Sequence, residues 1–258
     1  MVIDERRQRL SEFLAVQGYA SLSQLVEEYG VSEATIRRDL SLLEEKGMVR
    51  RTHGGATFIG ERLSIIDYAR RETTAVAEKQ AIGRETAKLI TDGETVLLDG
   101  GTTTFQVAKH LVNRSLQVVT NSLPIAILLN SATNIELVFV GGYIYPRTGV
   151  ALGPIAQQTL ESLKVSKAIM GVAGVTEDAL YNANVMMVET DQQMIKSANE
   201  VIVVADASKF GKAALARMGG WEDIDYVVSD KGLEQKWRDI IRRGGAELIL
   251  AEVDKNNG

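Results

Sequence analysis

Cysteine is absent from this 258-residue chain. That excludes disulfides, thiolate catalysis and Cys-based metal sites, and it fits a reducing cytosol. Histidine is nearly absent too: His53 and His110 stand far apart with no ligand-like spacing, so no zinc site is expected. Nowhere does an apolar run reach the length that crosses a bilayer, and the first residues, MVIDERRQRL, are charged where a signal peptide needs an apolar core. A cytoplasmic protein without a membrane partner is expected. The pattern G-x-x-x-x-G-K-[ST] is missing, which argues against an ATPase. Proline is scarce at 3 residues, and with 45% hydrophobic and 24% charged residues the chain reads as an ordinary globular protein, frayed only at termini such as the tail EVDKNNG. A net charge of -5 argues against a broadly basic nucleic-acid coat but leaves room for a local basic face.

The first 59 residues carry helical periodicity. Leu10, Phe13 and Leu14 mark one amphipathic helix, and Leu22, Leu25 and Val26 a second, which Ser21 can cap and Gly30 can stop. In VSEATIRRDLSLLEEKGMVRRTHGGA, Ser32 can cap a third helix with an apolar face of Ile36, Leu40 and Leu43, ended by Gly47. Its other face holds Glu33, Thr35, Arg37, Arg38 and Ser41, hydroxyl and guanidinium groups suited to a DNA groove. Two short strands, Met48 to Arg51 and Ala56 to Ile59, flank the Gly54-Gly55 turn. Three helices and a hairpin make a winged helix-turn-helix, with Arg50, Arg51 and His53 on the wing. Taken alone, the Arg37-Arg38 pair reads as a solvated face paired with Glu33 or Glu45. In this setting one arginine contacts a base edge and the other a phosphate, and the order stays open.

Residues 60–79 are polar and charge-rich, a connection by composition. From 80 to 258, helical stretches alternate with apolar runs: TVLL (95–98), LQVV (116–119), IELVFV (135–140), KAIMGV (167–172), VIVVA (201–205), DYVVS (225–229) and ELIL (247–250). Near-continuous apolar strands between helices mean a mostly parallel sheet covered on both faces, a doubly wound α/β domain. Ligands in such sheets bind beyond the carboxyl ends of the strands. Those ends are polar or glycine-rich: DGGTTT after the first run, Thr120, Asn121 and Ser122 after the second, Gly141 and Gly142 after the third, Gly171 to Gly174, and DASK at 206–209.

Gly100 and Gly101 allow close backbone approach, and Thr102, Thr103 and Thr104 open a helix whose unpaired N–H groups and positive dipole end suit an anion. Asn121 and Ser122 repeat the arrangement. Lys209 adds a point charge, and Asp99 or Asp206 can accept from sugar hydroxyls. Lys209 is equally readable as a surface ion-pair partner, Lys212 is the better candidate for the exposed role, and His110 has none. Together these groups describe a phosphorylated polyol as guest, and no cofactor is expected.

On these residues the chain resembles the DeoR-type bacterial transcriptional regulators, from about Arg6 to about Asp230. The helix-turn-helix stretch quoted above carries most of the resemblance, with EK at 78–79, DGGTTT, VVTNS, VGG and VADASKFGK. The resemblance implies a winged helix on operator DNA and a C-terminal domain similar to ribose-5-phosphate isomerase that senses a phosphorylated sugar or related metabolite. It implies most often a repressor, released by that metabolite, and a homo-oligomer, dimer or tetramer. It implies that Ser32, Thr35, Arg37, Arg38, Ser41, Arg50, Arg51, His53, Gly54 and Gly55 form the double-stranded DNA face. The effector would meet Asp99, Gly100, Gly101, Thr102, Thr103, Thr104, Asn121, Ser122, Gly141, Gly142, Asp206 and Lys209. Many members carry a small hydroxyl residue where this chain has Gly100.

Two other functions fit the same residues. A sugar-phosphate isomerase with a DNA-binding appendage would use Asp99 or Asp206 as base, although no second acid-base partner is evident nearby in sequence. A constitutive DNA-binding protein would use the α/β domain only to oligomerise and would have no need of an anion cradle.

Overall fold

The computed structural model describes residues 3–17, 19–52, 54–58 and 71–253. The chain divides into two compact units, Met1–Arg70 and Arg71–Gly258. Residues 71–79, placed by composition in the connection, belong to the second unit; 71–73 are helical and a longer helix begins at Val76.

The first unit contains α1 (Ile3–Gln17), β1 (Tyr19–Ser21), α2 (Leu22–Tyr29), α3 (Glu33–Glu45), β2 (Val49–Thr52) and β3 (Gly55–Phe58). Its helix boundaries follow local chemistry. Ser21 and Gln24 form a capping box at the start of α2, Gly30 closes that helix in the left-handed region at φ 61°, and the Ser32 hydroxyl accepts from the Thr35 N–H, 3.3 Å away, to start α3. Gly47, at φ 71°, lets the chain leave α3 for β2. Leu10, Leu14, Leu25, Ile36, Leu40, Leu43 and Val49 are buried in one cluster, each worth about 1.5–3 kcal/mol. The hairpin gains an unexpected third strand: β1 pairs antiparallel with β3, giving the order β1-β3-β2. Three residues, YAS, are too short a run for a period-2 signal.

The second unit runs α4 (Val76–Lys88), β4 (Thr95–Leu98), α5 (Thr102–Leu111), β5 (Leu116–Thr120), α6 (Leu123–Leu129), β6 (Ile135–Phe139), β7 (Tyr143–Tyr145), β8 (Val150–Leu152), α7 (Pro154–Glu161), β9 (Val165–Gly171), β10 (Gly174–Val175), β11 (Leu180–Asn182), α8 (Val185–Ser197), β12 (Ala198–Val204), β13 (Ala216–Gly219), β14 (Tyr226–Asp230), α9 (Gln235–Arg243) and β15 (Glu247–Ala251). The seven apolar runs read from sequence all join one parallel sheet, ordered β15-β14-β12-β9-β4-β5-β6. Alternate residues of each strand face opposite layers. Val96, Leu98, Ile169 and Ile202 pack with α4, α5 and α6, whereas Leu97, Ala168, Met170 and Val203 pack with α7, α8 and α9. Burial on both faces is what makes the runs continuous in sequence. From β4 the chain proceeds outward to β5 and β6, and from β9 outward in the opposite direction to β12, β14 and β15. The strand order therefore reverses between β4 and β9, and a crevice opens beyond their carboxyl ends. Two additions were not evident from the apolar runs: the antiparallel pair β7-β8 and a small sheet, β10-β11-β13.

Candidate functional site

The exposed face of α3 carries the residues expected at DNA, and the structure sorts them into braced and free. Arg37 is held along the helix by Glu33, with Nη2 2.6 Å from Oε1. Arg51, from β2, donates Nε to Glu44 Oε2 at 2.7 Å and Nη1 to the Ser41 hydroxyl at 2.6 Å, and its N–H donates to Glu44 Oε1 at 2.8 Å. Ser41 itself donates to the Arg37 carbonyl. The bonds from the Arg51 backbone and side chain hold the Glu44 carboxyl below the usual carboxylate range. Arg51 and Ser41 thus fasten the wing to α3, while Ser32 and Thr35 bond each other at the helix start. Gly55 is buried, and a Cβ there would lie 2.1 Å from the Ala20 carbonyl oxygen, so this position serves the β1-β3 pairing. Gly54 is exposed at the turn. Arg38 and Arg50 are exposed and take no hydrogen bond or ion pair among the described residues. His53 lies outside the described residues.

A feature that sequence reading missed anchors this face from below. Asp39 is 1% exposed on the inner side of α3 and accepts from Arg6 Nε at 2.7 Å and Arg7 Nε at 2.8 Å. Burial pushes its carboxyl up, but the bonds and charges of Arg6 and Arg7 outweigh burial and leave it below the usual range. An acidic residue one turn from Ile36 and Leu43, on the apolar stripe, was the available signal.

In the second unit, Asp99, Gly100, Gly101, Thr102 and Thr103 line one cavity with Gly171 and Lys209, at the reversal between β4 and β9. Gly101 supplies no side-chain cap to α5, so the first-turn N–H groups are offered to the cavity. The Thr104 hydroxyl, expected in the site, turns back onto the Gly101 carbonyl at 2.9 Å. The Asp99 carboxylate accepts from the Gly100 and Gly171 N–H groups. Burial pushes its pKa up to about 6, against the pull of these two donors and the Arg71 charge. Gly100 answers a steric demand: a Cβ there would sit 1.9 Å from Val150 Cγ1 on β8. A larger side chain at this position has no room beside Val150.

The remaining expected residues lie outside that lining. Ser122 caps α6, and Asn121 donates Nδ2 to the Ala151 carbonyl, with its Oδ1 buried and without a partner among the described residues. Gly142, at φ 146°, makes room for the Leu152 carbonyl and Ala156, while Gly141 has open space around its Cα. Asp206 accepts from the Ser208 N–H and hydroxyl, capping the short helical turn that presents Lys209.

Four groups at or behind the cavity were missed. Arg71 lines it. Lys79, buried, donates Nζ to the Arg71 and Thr74 carbonyls and so ties down the segment that carries Arg71. Burial lowers the Lys79 pKa, and the nearby Asp206 carboxylate opposes that shift. Asn182 lines the cavity and donates Nδ2 to Asp191 Oδ2 at 2.8 Å. Burial and the neighbouring Asp99 hold the Asp191 carboxyl well above the usual range. The EK pair at 78–79 signalled Lys79, and Asp191 falls on the buried stripe of α8 at three-residue spacing from Val188 and Met194. The cavity is small, about 40 Å³, and partly open to solvent. Among the described residues no cluster of His, Asp and Glu could hold a metal, and no helix is long and apolar enough to cross a membrane.

Comparison with known proteins agrees with both halves of this description. Residues 6–62 match the DeoR-like helix-turn-helix domain, and residues 74–231 match the DeoR C terminal sensor domain. The chain is 34% identical over 255 residues to the HTH-type transcriptional repressor GlcR of Bacillus subtilis, covering 99% of each chain. It is 33% identical over 228 residues to the glycerol-3-phosphate regulon repressor of Escherichia coli, covering 88% of this chain and 90% of that one. A ribose 5-phosphate isomerase from Methanocaldococcus jannaschii aligns over 51% of this chain and 53% of its own at 21% identity, with a TM-score of 0.37, too slight a likeness to carry an argument about activity. The chain belongs to the DeoR family of transcriptional regulators.

Proposed function

We propose that this regulator is a repressor of a carbohydrate operon, released when a phosphorylated sugar enters the cavity between β4 and β9. The observation that carries the reading is the gathering of Arg71, Lys209 and the uncapped start of α5 around one cavity, because these are donors and charges for a phosphate while Asp99 can accept from hydroxyls. The name of the Escherichia coli relative, tied to the glycerol-3-phosphate regulon, supports a phosphorylated effector. The protein is no enzyme on this reading. Asp99 is the one carboxyl among the described residues of the cavity lining: Asp191 is turned to Asn182 and Asp206 to Ser208, so the lining offers no second carboxyl to share proton transfer.

On the DNA side, α3 enters the major groove of double-stranded operator DNA, with Arg38 and Arg50 free to contact it and Arg37 presented by Glu33. Two half-sites need two copies of the chain, so the working form is a homo-oligomer, acting in the cytoplasm where the chromosome lies. The switch needs only a difference in preference: an arrangement that holds effector at the expense of operator releases the gene.

The test is a thermal-shift screen of sugar phosphates and their unphosphorylated parents, followed by operator gel shifts. A ligand at 100 times its Kd adds about 2.7 kcal/mol. Stabilisation by one phosphorylated sugar, lost in Lys209→Ala together with operator release, is the expected result. Stabilisation by unphosphorylated sugars alone, or full release in Lys209→Ala, would refute it.

A further inference from the structure

Asn182 ends β11 and is 6% exposed, yet it lines the same cavity as Arg71, Asp99 and Lys209. Two bonds fix its amide. Nδ2 donates to Asp191 Oδ2 at 2.8 Å, and Oδ1 accepts from the Ala183 N–H at 2.9 Å. The backbone donor at Ala183 leaves a single orientation for the side chain, since a flip would set Nδ2 against that N–H. One N–H and one oxygen lone pair then remain unspent. A donor and an acceptor side by side match a sugar hydroxyl, which is both, or a carbonyl with its neighbouring hydroxyl. A phosphate has no use for that lone pair and is better served by Arg71, Lys209 and the α5 N–H groups.

Resting on the sensor reading above, we propose that Asn182 is a specificity-determining residue that reads the hydroxyl and carbonyl oxygens of the phosphorylated sugar, and that Asp191 is the positioning residue that holds its amide. Asp191 does not touch the guest. Toward Asn182 it serves as an acceptor through Oδ2, a role that the side-chain oxygen of asparagine can also fill.

Titration calorimetry of the full chain with inorganic phosphate, glycerol 3-phosphate, ribose 5-phosphate, glucose 6-phosphate and fructose 6-phosphate tests this. Wild type should bind at least one sugar phosphate about tenfold or more tighter than inorganic phosphate. Asn182→Leu, or Asn182→Ser if the leucine variant melts early, should cut that sugar phosphate's affinity about tenfold and leave inorganic phosphate within about twofold, the cost of leaving a sugar polar group unpaired. Asp191→Ala should do the same, and Asp191→Asn should restore binding to within about threefold. An unchanged preference in both Asn182 variants would overturn the assignment of Asn182 while leaving the anion site standing. Asp191→Asn as damaging as Asp191→Ala would overturn the positioning role. Wild type that binds none of the five would bring down the sensor reading, and this proposal with it.

Discussion

Asp39 and Asp99 are both buried carboxyls, and they respond to pH in opposite directions. For Asp39 the Arg6 and Arg7 partners win over burial, so its folded pKa lies below the unfolded value. Its contribution is present above the unfolded pKa and lost as pH falls through the folded one. Removing the buried carboxylate takes an ion-pair partner from Arg6 and Arg7, and Asp39→Ala is expected to cost about 3–5 kcal/mol in the first unit. Urea unfolding followed by a probe in that unit checks this, and a loss below about 1 kcal/mol would show that the clasp is not held in solution. For Asp99 burial wins, and its folded pKa of about 6 lies above the unfolded one. The folded state keeps a proton that the unfolded chain releases, so the stabilising contribution is present below about pH 4 and lost as pH rises to about 6. Asp99→Asn removes this titration. The stability of the variant relative to wild type should therefore rise between pH 4 and pH 7, read as the difference between their urea midpoints at each pH. A difference independent of pH would place the Asp99 pKa near its ordinary value.

At the scale of elements, the recognition helix and wing separate arginines that hold the fold from arginines left over for DNA. Arg38→Ala and Arg50→Ala should weaken operator binding by about 1–3 kcal/mol for a base contact, or lower the salt slope by about 1 for a phosphate contact, with the melting temperature unchanged. Arg51→Ala should weaken binding and also lower the melting temperature slightly, because the Glu44 pair is half exposed. Fluorescence anisotropy across a salt series, paired with thermal melts, distinguishes the two classes, and identical behaviour of Arg38→Ala and Arg51→Ala would erase the distinction. A second element-scale contact joins the β4-α5 loop to β8. Gly100→Ala should cost about 1–3 kcal/mol through the clash with Val150, and Val150→Ala should recover most of that loss in the double variant. Additive losses would mean the loop moves aside instead. These contacts also mark what was legible in the sequence. The seven sheet strands, the caps at Ser21 and Ser32 and the loop after β4 announce themselves through local period and turn chemistry. Ser122 and Asp206 are spent on caps within three residues of themselves, a local role that their positions before short helical turns also allowed, whereas the bond from Asn121 to the Ala151 carbonyl is fixed only by the finished fold. Arg71 was hidden for the same reason: a residue in a charge-rich stretch becomes a site residue only when Lys79 ties its backbone down.

At the scale of the whole molecule, operator and effector belong to different units of the chain, and what links them is thermodynamic. If the effector lowers operator affinity by some factor, operator must lower effector affinity by the same factor, whatever the path between them. Ordinary coupling of about 1–3 kcal/mol corresponds to roughly 5 to 150-fold. For release, the effector must favour an arrangement that operator disfavours, and operator the reverse. The prediction is a measured equality. Calorimetric titration of the sugar phosphate identified in the screen, with and without a saturating operator duplex, should give a ratio of Kd values equal to the ratio of operator affinities with and without effector. Lys209→Ala should drive both ratios toward one. Ratios that differ beyond error would mean that release runs through a change in the number of chains on the DNA, and titrations repeated across protein concentrations would then show the operator affinity, and not the effector affinity, changing with concentration.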